Sequence, residues 1–313
     1  MARPGFTLYW STLAMYEGCP QLFLWSKGWP GFDVGGGDGR PKPIPSRKSA
    51  HHALMGIAIQ YAIERMYNDE LWRDPKSLPD VLVRHVEEEW DRLCADPKNW
   101  IDYAQAGDRE SLLTVCRNSV MGFLRTMKAN KIIGPYARCE VDFLGALDPT
   151  NPIGGRADLV VKRDDTGASI YDGKNSQSKG KYTDPDQLRW YALLYWLKHR
   201  ELPQRLAFIY YRYPYGTPLL DPMGNPTGDV ESGLDLVPFS ENDLNRLAQR
   251  ADVARKNIEA TQFDPTPSPS QCKFCDYADV CAARQDQKAN SSRKKSGLPE
   301  IASSTGGFVD LGL

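Results

Sequence analysis

The 313-residue chain lacks several features that would each point elsewhere. It has no run of eighteen apolar residues, so no membrane-spanning helix is predicted. Its first residues, Met-Ala-Arg-Pro-Gly-Phe, lack the apolar stretch of a secretory signal peptide, and a cytoplasmic location is expected. It lacks charge of one sign: 39 Lys and Arg stand against 40 Asp and Glu, so a polyanion could be met only by a local cluster. No Gly-Lys-Ser/Thr follows the glycines of 35–39, so residues 25–47, with Pro41, Pro43 and Pro45, are expected to be a flexible connector rather than a P-loop. It also lacks the Cys density of a disulfide scaffold. Seven cysteines in a reducing compartment argue against a disulfide framework. Cys94, Cys116 and Cys139 lie in apolar surroundings, as core residues do. Cys272, Cys275 and Cys281 form C-x2-C-x5-C after a Pro-rich stretch at 264–269, which is metal-ligand spacing.

What is present centres on residues 153–191. Residues 153–162 are rich in β-branched side chains, 163–167 hold Asp and Gly for a turn, 169–172 form a second strand, and a helix starts near Pro185. Asp172 and Lys174 are two apart and share a strand face. A hairpin brings Asp158 to the same edge. Two carboxylates and a lysine are the chemistry of metal-assisted phosphodiester hydrolysis. The carboxylates hold a hard divalent ion, Mg²⁺ or Mn²⁺, and the Gly173 carbonyl can add a ligand. The ion polarises the phosphoryl group and lowers the pKa of water, while the lysine orients that water or steadies developing charge. Gln187 and Tyr191, at i and i+4, share a helix face.

Gly155 to Asp158 as G-x-x-D, Asp172 to Lys174 as D-x-K, and Gln187 to Tyr191 as Q-x-x-x-Y together resemble the PD-(D/E)xK nuclease superfamily in its RecB-like branch. Residues 11–20, S-x-L-x-x-Y-x-x-C-P, resemble the iron–sulfur members of that branch, and the resemblance covers roughly residues 7–283. It implies an α/β fold: a central mixed β-sheet flanked by helices, restriction-endonuclease-like, with a helical insertion. It also implies a cysteine-ligated cluster joining the N- and C-terminal segments. One nuclease domain is expected over 1–283, with a disordered tail over 284–313. The implied activity is a Mg²⁺- or Mn²⁺-dependent exonuclease on single-stranded DNA or duplex ends, in DNA recombination, repair or replication. The similarity is to CRISPR-associated and phage-encoded enzymes in character, so a bacterial or phage-infected cell is the expected setting. With no helicase motifs, a helicase–nuclease is not expected. The alternatives are a nuclease partner in CRISPR adaptation and a catalytically weak DNA-binding protein of the same fold.

The resemblance also assigns residues. Asp158 and Asp172 bind metal, Lys174 assists the attacking water, and Gln187 and Tyr191 position the scissile strand or the lysine. A cluster is held by Cys19, Cys272, Cys275 and Cys281. Four thiolates suit either Zn²⁺ or iron–sulfur, and spacing does not choose between them, whereas the family pattern implies [4Fe–4S]. The branch carries G-x-x-x-H-x-x-x-E on an early helix. Here these positions are Gly56, Gln60 and Glu64, so Gln60 takes the histidine's place as a weaker ligand, unless His51 or His52 moves in. Glu140 is a candidate auxiliary acid. Lys179, Lys181 and Arg189 are candidate DNA contacts, and the apolar, acidic end of the tail is a candidate docking peptide for a replication or recombination protein.

Elsewhere, a helix is expected over 6–25, N-capped by Ser11 and broken near Cys19-Pro20. Further helices are expected over 48–69, 78–93, 109–127 and 240–260, the last opened by a capping box at Ser240 with Asp243 in place of Glu. Strands are expected over 132–143, 206–213 and 237–239, and 214–233 as a turn-rich loop. Trp100 and Tyr103 are expected to be buried against the helices rather than offered to unpaired bases.

Overall fold

The computed structural model describes residues 6–28, 51–163, 167–180, 183–213, 218–220, 223, 225–230, 233–273 and 275–285. Lys181, most of the 25–47 connector and nearly all of the 284–313 tail, with its docking peptide, lie outside the described residues.

In chain order the elements are β1 (Leu8–Tyr9), α1 (Trp10–Gly18), α2 (Pro20–Lys27), α3 (His51–Asn68), α4 (Leu78–Ala95), α5 (Tyr103–Ala106) and α6 (Arg109–Ala129). There follow β2 (Ala137–Ala146), β3 (Pro152–Arg163), β4 (Gly167–Lys174), α7 (Pro185–His199), β5 (Arg205–Tyr210), β6 (Pro218–Leu220), β7 (Pro226–Val230), β8 (Leu234–Leu236), α8 (Glu241–Glu259) and α9 (Pro269–Cys272). Within the span expected as one nuclease domain, the described residues form two compact units, 6–10 with 51–255 and 11–28 with 256–285.

The first unit is α/β, a mixed sheet flanked by helices. Its strands run β1-β3-β4-β5-β8, with β2 along the other edge of β3. β1 joins β3 and β4 joins β5 in parallel, and the other pairs of this sheet are antiparallel. The helical insertion is α3, α4 and α6. Leu82, Val86, Trp90 and Leu93 stripe α4, and Leu112, Cys116, Val120, Phe123 and Met127 stripe α6, at helical spacing. They share one buried cluster with Leu159, Val161, Tyr171, Ala207 and Ile209 of the sheet. At about 1.5–3 kcal/mol per fully buried large side chain, this cluster outweighs the unit's exposed ion pairs.

Helix α7 packs on β2, β3, β4 and β5. Asp184 caps its first turn by accepting from the Asp186 N–H at 3.0 Å, and Pro185 stands where no N–H is needed. The Trp190 indole N–H donates to Gly154 O at 3.0 Å in the interior. A Cβ on Gly155 would lie 2.8 Å from Leu194 Cδ1 and 3.0 Å from Tyr191 Cε1, so glycine there is what lets α7 approach.

In the second unit, Cys19 is extended (φ −158°, ψ 105°) between α1 and α2, with Pro20 opening α2, as the Cys-Pro pair predicts. Tyr16, Phe23 and Phe263 pack ring against ring, and Tyr16 Oη donates to Gln262 O at 2.8 Å. Tyr277 Oη donates to Trp25 O at 3.2 Å.

Several local expectations are corrected. Helix α1 begins at Trp10, so Ser11 lies inside it rather than capping it. The last sheet strand is Leu234–Leu236, three residues before the expected 237–239. It pairs with Ala207 to Ile209, and the Val237 N–H, donating to Leu206 O, continues that register by one residue. Strand β5 stops at Tyr210, short of the expected 213, with the Tyr211 N–H making the last ladder bond to Lys174 O. The 214–233 stretch contains an antiparallel hairpin, β6 with β7, hidden in the sequence by its prolines. Trp100 and Tyr103 are half exposed rather than buried. The capping box is present: Ser240 N donates to Asp243 Oδ2 at 2.9 Å and Asp243 N to Ser240 Oγ at 3.3 Å.

Candidate active site

Strand β3 holds β1 and β4 on the same edge, at opposite ends. β1 pairs at Ile153 and Gly154, and β4 pairs from Leu159 onward. The interval 155–158 is left without a partner on that edge. Asp158 sits where β3 and β4 part. Its Oδ2 accepts the Gly173 N–H at 2.8 Å, so a side chain takes the place of a ladder carbonyl.

On the other edge the β2 register runs unbroken except at one level, where Glu140 faces Asp158 with φ +49°. Ala137, Leu159 and Val161 belong to the cluster with α3, α4 and α6. Past that level, Phe143 packs on Tyr195, and Gly155 faces Tyr191 and Leu194, all of α7. Odd-numbered residues thus face opposite layers on the two sides of the Glu140–Asp158 level. The inside–outside alternation is broken there, as irregularities beside active sites do to re-aim side chains.

Asp172 is 2% exposed. Its Oδ1 accepts from Gln187 Nε2 at 2.9 Å, and its Oδ2 lies 2.5 Å from Lys174 Nζ without the angle of a hydrogen bond. Lys174 Nζ donates to Gln187 Oε1 at 3.2 Å, and Gln187 Nε2 is 3.2 Å from Tyr191 Oη. Gln187 therefore ties Asp172, Lys174 and Tyr191 into one network. Gln60 Nε2 donates to Glu140 Oε1 at 2.7 Å, and Arg156 approaches Glu140 Oε2 at 3.8 Å.

Burial pushes the Asp158 carboxyl up, helped by the charge of Asp172 and opposed by the Gly173 N–H. Burial also raises Asp172 against the pull of Lys174. Glu140 is raised by burial, against the hydrogen bond from Gln60, and Glu64 by burial and then by the charge of Glu140. Four carboxyls, each held above its ordinary range chiefly by burial, form a site in which a bound cation would relieve the cost of ionising them. Among the described residues, no three His, Cys, Asp or Glu side chains close into a metal cage. Mg²⁺ does not require one: it is usually held by one or two carboxylates, with water filling the rest. The buried carboxylates of Asp158 and Asp172 and the all-oxygen donor set fit that ion.

Glu64 enters the electrostatics of this site more than its motif position alone suggested. Other expected residues stand apart. The His51 and His52 rings lie against each other, tilted, at 3.9 Å between centroids, eight or nine residues before Gln60. That is roughly 12–14 Å of helix rise, too far to serve the acids. Arg189, expected as a DNA contact, also anchors the fold: it pairs with Asp186 at 2.8 Å and donates twice to Pro238 O, at 3.1 and 3.0 Å. Lys179 lies over the Tyr213 ring at 4.7 Å.

Gly173 is needed for space as well as for its N–H. A Cβ there would lie 1.7 Å from Tyr211 Oη, and Tyr211 is buried in the insertion core. Gly173→Ala is expected to lower stability by about 1–3 kcal/mol. It should also loosen Asp158, so divalent-ion affinity falls with it. Urea denaturation and Mn²⁺ titration check both effects, and a variant as stable as wild type would contradict this packing.

In the second unit, Cys19, Cys272, Cys275 and Cys281 border one pocket, all as free thiols. Burial raises the Cys275 thiol, and the three other thiols add to the rise. A four-cysteine lining fits a thiophilic ion or cluster by its donor chemistry, although the four sulfurs do not converge on one point.

A family model for the PD-(D/E)XK nuclease superfamily matches residues 10–282, and the chain belongs to that superfamily. Among curated proteins none matches. Of solved structures, the chain is similar to one described as "Crystal structure of SSO0001", at 18% identity over 66% of this chain and 82% of that one, with a TM-score of 0.30. Among the described residues, no helix is long and apolar enough to cross a membrane.

Proposed function

We propose that the protein is a RecB-like, Mg²⁺- or Mn²⁺-dependent deoxyribonuclease that hydrolyses phosphodiester bonds from the ends of single-stranded or duplex DNA. The observation that carries the hydrolytic reading is the Gln187 bridge, which holds Asp172 and Lys174 against each other beside Asp158. Asp158 and Asp172 would hold the divalent ion, which when bound polarises the phosphoryl group and acidifies water. Gln187 fixes Oδ1 of Asp172 and so aims Oδ2. Lys174, steadied by Gln187 Oε1, places a positive charge where the pentavalent phosphorus gains negative charge. The Tyr191 hydroxyl is held protonated by burial and serves as a neutral partner of Gln187. The preference for ends comes from the RecB-like resemblance.

The test is hydrolysis of end-labelled linear strands and of closed circles with Mn²⁺ or EDTA, beside Asp172→Ala. Loss of linear DNA alone, dependent on metal and on Asp172, supports the reading. Cut circles make the protein an endonuclease. One observation favours a second reading, a catalytically weak DNA-binding protein: the Gln60 amide is committed to Glu140, where the family's motif has histidine. Folded, metal-loaded protein that binds DNA without cutting it would establish that reading.

The four cysteines are proposed to hold a [4Fe–4S] cluster, with Zn²⁺ as the alternative ligand. The metal site would tie residues near both ends of the described chain. Cys275→Ser is expected to lose the bound metal and to cost on the order of 4 kcal/mol of stability, by the chain-entropy treatment of distant cross-links. Visible absorption and iron and zinc content of anaerobically purified protein check this. Metal-free wild type of full stability would sink it.

A further inference from the structure

A cavity of about 170 Å³ lies in the first unit at the end of the β3–β4 pair away from the acids. Its floor is the sheet: Val161 and Arg163 of β3, Ser169 and Tyr171 of β4, and Arg205 of β5. Val161 pairs with Ser169, and Ser169 with Arg205, so these residues stand side by side on three neighbouring strands. Asn130, just past α6, and Gln204 complete the polar lining.

Among the described residues, the lining contains two guanidinium groups and no carboxylate. Among the described residues, Arg163 and Arg205 make no ion pair, whereas Arg65, Arg73, Arg92, Arg109 and Arg117 do. Arg84, Arg138, Arg200 and Arg212 also make none, so what sets this place apart is that two such arginines line one cavity. Arg163 is held from behind. Its guanidinium lies 4.5 Å over the Tyr136 ring, and one amino group donates to Tyr136 Oη at 3.2 Å. Its Nε is buried and has no hydrogen-bond partner. Two unneutralised arginines with neutral donors between them are the chemistry that takes a phosphate oxygen edge. The volume exceeds what one ordered water needs and falls short of a pocket for a whole drug-sized molecule.

We propose that this cavity binds a phosphate group, as a small phosphate-class anion. It is separate from the nuclease centre. Asp158 and Arg163 are five residues apart on β3, roughly 17 Å. Tyr171 faces the helical insertion, whereas Asp172, the next residue on β4, meets Gln187 of α7. The proposal stands whether or not the nuclease reading does.

The test is calorimetric titration of the full-length protein, in EDTA, with inorganic phosphate and with a 5′-deoxynucleoside monophosphate. The variants are Arg163→Met, Arg205→Gln and Asp172→Asn. Saturable binding is expected, weakened about tenfold or more by either arginine variant and unchanged by Asp172→Asn. Arg205 is exposed, so its variant keeps the test valid should Arg163→Met fail to fold. Arg163→Lys, which retains charge without the fork, should fall between. Equal affinity for the two probes identifies the phosphate alone as ligand, and tighter nucleotide binding identifies a nucleotide phosphate; either supports the site. Absence of saturable binding, or binding lost in Asp172→Asn and kept in Arg205→Gln, overturns it.

Discussion

Asp158→Asn should lose hydrolysis by about 10³-fold or more and, in EDTA at neutral pH, should be more stable than wild type. The loss follows from removing one of two anionic oxygen donors. The gain follows from burial and the Asp172 charge, which raise the Asp158 carboxyl in the folded state. An unfolded Asp titrates near pH 3.9. Between that value and the raised folded value, the unfolded chain has released its proton and the folded chain keeps it. Stability then falls as pH rises, by about 1.36 kcal/mol per pH unit for a fully developed difference. Asparagine carries no such burden, so the variant's advantage should be small near pH 4, grow upward, and level off above the folded pKa.

Divalent ion reverses the ranking. It binds the ionised pair, so it should raise the wild-type melting temperature and barely move that of Asp158→Asn. Melting curves at about pH 5 and about pH 8, with EDTA and with Mg²⁺, separate these effects. A variant that still gains from Mg²⁺, or a wild type indifferent to pH in EDTA, would show that Asp158 is no metal ligand. A site that costs stability until it is loaded is the usual bargain between function and fold.

How much of this was legible beforehand depended on range along the chain. Period-two alternation puts Asp172 and Lys174 on one strand face, and i, i+4 spacing puts Gln187 and Tyr191 on one helix face. Both are local rules, and the structure brings these four side chains together through Gln187. Gly155 carried its signal as a motif letter, and its physical reason, the close approach of α7, appears only when α7 is docked. The Gln60–Glu140 bond joins residues 80 apart, and no pattern in either segment announces it. The broken alternation at Glu140 was equally hidden, because a non-glycine residue at φ +49° leaves no compositional mark. Arg189 shows the same limit from the other side. A cation near the motif looked available, and its partners, Asp186 and the Pro238 carbonyl, could be found only in the fold. The hairpin of β6 and β7 was concealed by Pro218 and Pro226, residues that ordinarily mark loops or edges.

Asp186→Ala should be the most destabilising single change in the first unit outside its apolar core. Asp186 sits in the first turn of α7, one residue before Gln187, and is largely buried. Its Oδ1 takes Arg189 and Arg246, each at 2.8 Å, and its Oδ2 takes Arg250 at 2.5 Å. Burial alone would raise this carboxyl, but hydrogen bonds from Arg189, Arg250 and Arg246 hold it below its usual range. Removing it leaves three guanidinium groups facing one another. Breaking a buried ion pair from one side costs about 3–5 kcal/mol. With the Arg246 side chain 48% exposed and that of Arg250 30% exposed, water recovers part of this, so the loss should lie near the lower end. The sign with pH is fixed by the depressed folded value. The contribution is fully present above the unfolded pKa and disappears as pH falls through the folded one, so wild type and variant should converge only below about pH 4. Asp186→Asn, which keeps an acceptor and loses the charge, should lie between. Urea midpoints at neutral and acid pH measure all three, and a loss under about 1 kcal/mol at neutral pH would reduce the cluster to a surface ion pair. Because Asp186 anchors α8 residues to the helix that carries Gln187, any fall in hydrolysis that accompanies the fall in stability should be recovered by conditions that stabilise the fold.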